Sequence, residues 1–594
     1  MRELEYPFDD NLLIKAKKLK KELLKQDNLV TKKVALLSGS TIGQIKLMIE
    51  LFLLQNGFFP VVYEGKYNSF YEEAVFPNDE LNQFDPDIVY VHTTVRNIKE
   101  WPELTDAKEQ TEEKLTELIT RFTEIWDCLQ ENYHCLVIQN NFEMLPYRLM
   151  GNMDRTHPNG RQHFVEEANR LMALESQKRR DVFINDIHYQ ASVFGLHRWF
   201  DNSAWCAFKY AFSPEAFSIA AYNVVNIIKS YYGKNKKAVI TDLDNTLWKG
   251  VIGDDGVDGI AIGVESPEGM PYTEFQEYLK ELGKQGILLN ICSKNELETG
   301  LTGFRHAGSV LTADDFTEIV CNWERKSDNI KEMADRLNLT PDSFVFIDDN
   351  PAEQDEVRES VEGIIVLPAQ DISEMLYNLD NGGYFEVTHL SREDLNRKEL
   401  YKARALFEND RKNLDYKDYL KGLLLKVTFD NVCQANIERV TQLLNKTNQF
   451  NLTGLRMEKG ELEEFVPGNL TICATLSDKF GNNGLVSVVL GKDSGDGTLD
   501  IEAWIMSCRV FKRDLELAVF DKLVIECKKR GIGKIRGVYI PSKKNIPVAH
   551  LYKNLGFEYE GKSGMGESWV YAIPEKYEVK NQVIAIANAD DEKI

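Results

Sequence analysis

The sequence predicts an α/β protein built on parallel sheets, followed by a smaller α+β region, and three observations carry that reading. Short apolar runs stop abruptly at polar, chemistry-bearing residues: 238–241 before Asp242, 287–291 before Cys292 and Ser293, and 344–347 before Asp348. Over residues 1–232, strand-like runs at 33–37, 60–63, 87–92, 135–139 and 181–185 alternate with helical patterns, the rhythm of parallel β-α-β units. From Leu423 the order changes to strand (423–429), helix (436–444), hairpin (470–476 and 485–490), strand (499–506), helix (513–530) and strand (535–539). Open parallel sheets place their ligands outside the carboxyl ends of the strands, so the polar residues that end the apolar runs are the first candidates for function.

Composition narrows the function classes. A chain of 594 residues with 43% apolar content is long enough for three or four soluble domains. Its formal charge of −23 argues against nucleic acid and acidic membrane surfaces as general partners. The nine cysteines form no C-x-x-C pair, which points to reduced thiols and a cytoplasmic setting rather than a disulfide framework or zinc site. The first residues, MRELEYPFDD, lack signal-peptide character, and no apolar run reaches 18 residues. The basic amphipathic stretch 11–26 reads as a helix with a solvated lysine face.

The stretch 237–250, KAVITDLDNTLWKG, holds the strongest chemical signal. Side chains two apart in extended chain share a face, so Asp242, Asp244 and Thr246 face one way. Two carboxylates at the end of a buried strand are costly without a counter-charge. Mg²⁺, which favours one or two carboxylates together with waters and phosphate, supplies one. Ser293 and Asn295 follow the second apolar run, Lys326 opens a helical pattern, and Asp348 and Asp349 follow the third run.

With these four motifs in this order, residues 237–370 resemble the haloacid dehalogenase superfamily of phosphotransferases, in particular its subfamily IIIC phosphatases. The resemblance implies that Asp242 is the nucleophile forming an aspartyl-phosphate. It implies that Asp244 is the general acid and then the base, its backbone carbonyl also binding metal. Ser293 and Lys326 would hold the phosphoryl oxygens, with Thr246 and Asn295 beside them, and Asp348, with Asp349, would complete a Mg²⁺ site. Fifty-one positions separate Asp242 from Ser293, and thirty-three separate Ser293 from Lys326. A glycine-rich hairpin (250–263) and one helix (271–285) nearly fill the first interval, and one helix fills the second. Neither can hold a full cap domain, so the expected core is Rossmann-like, capless and open to large or protein-borne substrates.

Residues 1–232 are similar to the SGNH-hydrolase type of flavodoxin-like domain. Ser40 sits at the serine position, with Asp186 and His188 after the last strand, but no D-x-x-H precedes the final helix. A serine without a base within reach is a poor nucleophile, so docking or covering of substrate is the expected role. His92, His134 and His188 read as packed or surface histidines. Residues 373–424 read as a helical connector containing a charged, solvated helix at 391–413.

Residues 425–576 resemble the GCN5-related acetyltransferase fold, with 577–594 left as a tail. That family's phosphate loop needs glycines where this chain has Lys512 and Asp514, after Arg509. Coenzyme A is therefore disfavoured, and phosphopantetheine, which lacks the adenosine pyrophosphate, stays open. Tyr552 occupies the family's general-acid position, although packing suits it equally. The three regions together, with DLDNTLWKGVIGDDG, ICSKN, DKFGNNGLVSVV and WIMSCRV, resemble the FkbH-like proteins. That resemblance implies dephosphorylation of a three-carbon acid such as 1,3-bisphosphoglycerate and loading of its acyl group onto an acyl carrier protein. Cys292 and Cys508 are then the thiols to test, against the ordinary burial of cysteine. The alternatives are a plain phosphatase with partner-binding end domains, and an acyl-CoA-dependent acyltransferase.

Overall fold

The computed structural model describes residues 4–9, 11–26, 29–401, 420–479, 481–507, 510–511, 513–542, 544–564 and 566–587. The chain divides into two compact units, Met1–Tyr231 and Tyr232–Ile594. Among the described residues, no helix is long and apolar enough to cross a membrane.

The first unit is a five-stranded, wholly parallel sheet of β1 (Val30–Ser38), β2 (Phe58–Glu64), β3 (Ile88–His92), β4 (Leu136–Asn140) and β5 (Val182–Asn185). Its order is β2-β1-β3-β4-β5, the flavodoxin-type arrangement. Every residue of β3 and β4 is buried, as expected where helices cover both faces of a parallel sheet. The N-terminal helix Leu12–Leu23 buries Leu12, Ala16, Leu19 and Leu23 along one stripe. Its Lys20 pairs with Glu50 at 2.5 Å and Lys15 with Asp9 at 2.6 Å, while Lys17, Lys18 and Lys21 are exposed.

The second unit opens with another five-stranded parallel sheet. Its strands are β6 (Ala238–Thr241), β7 (Leu288–Ser293), β8 (Glu318–Cys321), β9 (Phe344–Asp348) and β10 (Ile365–Pro368), in the order β10-β9-β6-β7-β8. β6 is central and buried throughout.

Two connections differ from the sequence reading. Between Gly250 and Gly263 only Lys249 and Ala261 pair as a hairpin would. The intervening Ile252–Gly259 winds into a short helix, kinked at Gly256, because the Asp255 carboxylate accepts the Val251 N–H at 2.7 Å and turns the chain. Between Ser293 and Lys326 lie a short helix, Leu297–Thr302, two single turns and the edge strand β8, rather than one helix. At four half-exposed residues, β8 is too short to show a period.

The remainder forms a mainly antiparallel sheet. Its strands are β11 (Lys426–Asp430), β12 (Phe450–Asn451), β13 (Leu470–Asp478), β14 (Gly481–Asp493), β15 (Thr498–Met506), β16 (Lys534–Tyr539), β17 (Glu558–Ser563), β18 (Gly566–Ala572) and β19 (Ala585–Ile586). They run β17-β18-β16-β15-β14-β13-β11-β19, with β12 paired to β15. β15 and β16 are parallel and pair only from Thr498 to Ile501, then part. The Tyr552 ring lies against Gly537, where even a methyl group would come within 2.2 Å of it.

Residues 577–587, read from sequence as a tail, belong to this domain. The buried Asp521 carboxylate accepts the Tyr577 hydroxyl (2.5 Å) and the N–H groups of Lys580 (2.9 Å) and Asn581 (2.7 Å). β19 then pairs parallel to β11.

Candidate active site

The acids of the DxDxT stretch leave the carboxyl end of β6 in a tight turn. The ladder to β9 continues one residue past the strand, Asp242 donating its N–H to Ile347 O at 2.9 Å. Asp242 Oδ1 accepts the next amide, Leu243 N–H, at 2.8 Å. Asn245 adopts a left-handed conformation (φ 51°), tolerated by asparagine, and its side chain accepts the Gly250 N–H at 2.9 Å. This turn buries Thr246 completely, its hydroxyl meeting no hydrogen-bond partner among the described residues.

Lys326, the first residue of the helix Lys326–Leu337, reaches over the sheet edge and is almost fully buried. Its Nζ lies 2.9 Å from Asp242 Oδ2 and 2.6 Å from Asp348 Oδ2. Burial alone would lower its pKa, but the two carboxylates overcome burial and hold the ammonium above the ordinary lysine range. Asp348 ends β9, wholly buried, and Asp349 follows, half-buried. Burial and the Asp242 charge push both carboxyls upward.

Oxygens of Asp242, Asp348 and Asp349 lie within 4.8 Å of one another. Three carboxylates facing one ammonium leave an excess of negative charge that a hard divalent cation fits, with oxygen donors only.

Asp244 occupies a different position. Its Oδ1 accepts the Trp248 indole N–H (3.0 Å) and the Ile252 N–H (2.9 Å), while its Oδ2 accepts the Asn295 side-chain amide (2.9 Å). The same Asn295 amide donates to Ser293 Oγ at 3.1 Å, so one side chain ties the end of β7 to the acid. The side chain of Asp244 stands outside the three-carboxylate cluster. Trp248, in the same motif and four residues beyond Asp244, was not singled out from sequence, although the spacing was visible there.

Cys292 is not available as a nucleophile here. It is fully buried against the Lys326 carbonyl (3.9 Å), and burial pushes its thiol up to about 12. Cys508, Arg509 and Lys512 lie outside the described residues.

Ser40, Asp186 and His188 do not assemble into a triad. Ser40 is buried, and its hydroxyl meets no partner among the described residues. Asp186 caps the helix Ile187–Phe194, accepting the Tyr189 N–H at 3.1 Å and the Asn141 side chain at 2.7 Å, so it does not orient the His188 ring. His92 is the histidine at the sheet edge: fully buried, with Nδ1 2.9 Å from the Tyr90 hydroxyl, and lowered by burial to about 3. His134 ends the helix Lys108–Tyr133 in a left-handed conformation.

In the third sheet, Tyr552 is buried, its hydroxyl meets no partner among the described residues, and its ring packs 4.9 Å from that of Phe557. Asp514 takes a left-handed φ of 56° at the start of its helix. The adjacent Arg513 is spent in a buried ion pair with Asp478.

A central parallel strand delivering paired acids, a serine on its neighbour and a lysine crossing from a helix define a phosphatase core of haloacid dehalogenase type. Residues 33–229 match the family described as FkbH, N-terminal domain. The N-terminal part of the protein BF1531 from Bacteroides fragilis, which contains a phosphatase domain and was crystallised with Mg, is 30% identical. That match has a TM-score of 0.59 and covers 63% of this chain and 99% of that one. The chain belongs to the family of BF1531, with an FkbH N-terminal domain and a phosphatase core of haloacid dehalogenase type.

Acetyltransferases are among the other structures that match. The ribosomal-protein-S18-alanine N-acetyltransferase from Escherichia coli is 12% identical, covering 26% of this chain and 98% of that one at a TM-score of 0.20. A GNAT-family acetyltransferase from Streptococcus pneumoniae is 15% identical, covering 25% and 100% at 0.21. Likenesses this slight carry no functional argument. No curated protein matches the sequence.

Proposed function

We propose that the chain is a Mg²⁺-dependent phosphatase acting through Asp242 on a phosphorylated three-carbon acid, whose acyl group passes to an acyl carrier protein. The observation that carries the phosphatase reading is the cluster of Asp242, Asp348 and Asp349, with Lys326 bridging the first two. The Mg bound to BF1531 supports the choice of cation. Asp242, Asp348 and Asp349 would hold the ion, which when bound neutralises phosphoryl charge.

The residues divide the work as follows. A carboxylate oxygen of Asp242 attacks phosphorus, and the bond from phosphorus to the leaving oxygen breaks, giving an aspartyl-phosphate. Lys326 and Ser293 stabilise the charge on the phosphoryl oxygens. Asp244, held by Trp248 and Ile252 and one amide away from Ser293, is assigned the proton given to the leaving oxygen and later taken from water. The acyl transfer is a separate step. The carrier's thiolate attacks the carbonyl of an acyl phosphate, a C–S bond forms and phosphate leaves; the buried Cys292 has no part in it.

The test follows phosphate release from glycerol phosphate and from acetyl phosphate with Mg²⁺. Asp242→Asn should abolish both. A carboxylate leaving group ionises near pH 4 and needs no proton on departure. Asp244→Asn should therefore slow the ester far more than the acyl phosphate. Undiminished release by Asp242→Asn would overturn the assignment of the nucleophile. Carrier loading is read separately, as a mass adduct on an added acyl carrier protein with 1,3-bisphosphoglycerate.

A further inference from the structure

The first unit contains a cavity of about 310 Å³ at the carboxyl ends of β3 and β4. Arg96 enters it from the turn after β3, Arg161 from the start of the helix Arg161–Gln177, and Trp101, Tyr147, Phe200 and Trp205 form much of the wall. Each arginine stacks on an indole. The Arg96 guanidinium carbon is 4.2 Å from the Trp205 ring centre and 5.7 Å from that of Phe200, and that of Arg161 is 5.2 Å from Trp101.

The charge is not balanced locally. Among the described residues, no acidic side chain lines the cavity. The Nε–H groups of both arginines are buried and meet no acceptor among the described residues. Among the described residues, Arg96 has one polar side-chain contact, a long 3.5 Å bond to Asn202. The neighbouring acid, Glu143, is fully buried with Oε2 on the Val95 N–H at 3.2 Å. Burial raises it to about 7, against the lowering effect of Arg96, so it is a weak counter-ion. Two guanidiniums, planar forks suited to bidentate oxyanions, thus stand in an aromatic pocket of ligand size in a chain whose net charge is −23.

We propose that this cavity binds a small organic phosphate, its phosphate on Arg96 and Arg161 and its carbon body against Trp101 and Trp205. A phosphate monoester carries nearly two negative charges at neutral pH and matches the two cations, whereas a single carboxylate leaves one unpaired. The ligand is a free phosphate monoester, with either a short body, as in a phosphorylated acid, or a long one, as in free 4′-phosphopantetheine.

The experiment uses full-length Asp242→Asn protein, which leaves the probes intact, and calorimetry in EDTA. The probes are 3-phosphoglycerate, 4′-phosphopantetheine and inorganic phosphate. One organic phosphate should bind at least tenfold more tightly than inorganic phosphate, and that affinity should fall at least tenfold when Arg96→Gln and Arg161→Gln are added. Tighter binding of phosphopantetheine identifies a long-bodied phosphate monoester; tighter binding of phosphoglycerate identifies a short one. The same two substitutions in the chain that keeps Asp242 should leave p-nitrophenyl phosphate hydrolysis unchanged. They should also leave the melting temperature equal or higher, since they remove two half-buried charges with no close counter-ion among the described residues. The inference is overturned if neither organic phosphate outbinds inorganic phosphate, or if the substituted protein binds as tightly. Should the double variant melt early, Arg96→Lys, which keeps the charge and loses the fork, replaces it, and unchanged affinity there overturns the inference equally.

Discussion

The two parallel sheets of this chain have the same number of strands and the same crevice at their carboxyl ends, yet they fill it with opposite chemistry. In the second unit the strand ends carry Asp242, Asp348 and Ser293, with Lys326 buried among the acids. In the first unit the corresponding ends carry His92, Asn140 and Asn185, all fully buried and neutral. There the Tyr90 hydroxyl and the Asn185 amide donate to Asn140 Oδ1 at 3.0 and 2.7 Å, and Asn223 and Gln190 donate to Asn185 Oδ1 at 2.7 and 3.1 Å. Amides carry donors and acceptors together and satisfy one another in a dry interior. Carboxylates only accept, so a cluster of them needs cations to persist. The fold alone does not select catalysis; the residue type at the strand end does.

That contrast is sharpest in a pair of nucleophile tests. Asp242→Asn should reduce phosphate release by on the order of 10³-fold or more, as loss of a covalent nucleophile does. Ser40→Ala, at the equivalent edge of the first sheet, should leave it unchanged. Any esterase activity of the parent that disappears with Ser40→Ala would break the comparison.

Lys326→Met comes next. It leaves Asp242 and Asp348 buried without their shared ammonium, which should cost about 3–5 kcal/mol in urea unfolding without metal. Added Mg²⁺ should recover part of that loss, while activity stays on the order of 10²-fold down.

Glu143 predicts a smaller, pH-dependent effect. Its folded-state value of about 7 exceeds the ordinary carboxylate value of 4.5, so the folded form holds the proton more tightly than the unfolded. Its contribution is present in full below pH 4.5 and is lost as pH rises through 7. The difference amounts to at most about 3 kcal/mol. Glu143→Gln should flatten that decline in unfolding free energy. His92, lowered to about 3, acts with the opposite sign: its stabilisation is present above the ordinary histidine value of 6.5 and is lost as pH falls towards 3. The comparison is therefore best made in a His92→Gln background. The smallest expected effect is that of Tyr552→Phe, which removes a buried hydroxyl without a partner among the described residues and should change stability by less than about 1 kcal/mol. A large loss of acyl-transfer activity in that variant would give the third sheet a catalytic role.

Much of this arrangement was legible in the sequence because it is local or periodic. The strands at 33–37, 87–92 and 135–139, and the acids directly after 238–241 and 344–347, are read from apolar runs and what ends them. The two-step spacing of Asp242 and Asp244 was visible too, but not their divergence. That depends on the Asn245 turn and on a hydrogen bond from Trp248, both set by tertiary packing. β8 escaped because four half-exposed residues carry no period, and the 252–259 helix because glycines and aspartates read equally as a turn. The Arg96 and Arg161 pocket was invisible, since residues far apart in sequence meet there only through the sheet order.

The pairing of β19 with β11 has a consequence for how the third domain closes. The pair Lys426 and Ala585 joins the beginning of that domain to its far end, so β11 keeps one flank open until the residues beyond Tyr577 have docked on Asp521. A fragment ending near residue 576 would present a bare strand edge and a buried acid stripped of its three donors. Such a fragment should self-associate, whereas one carried through residue 587 should stay monodisperse.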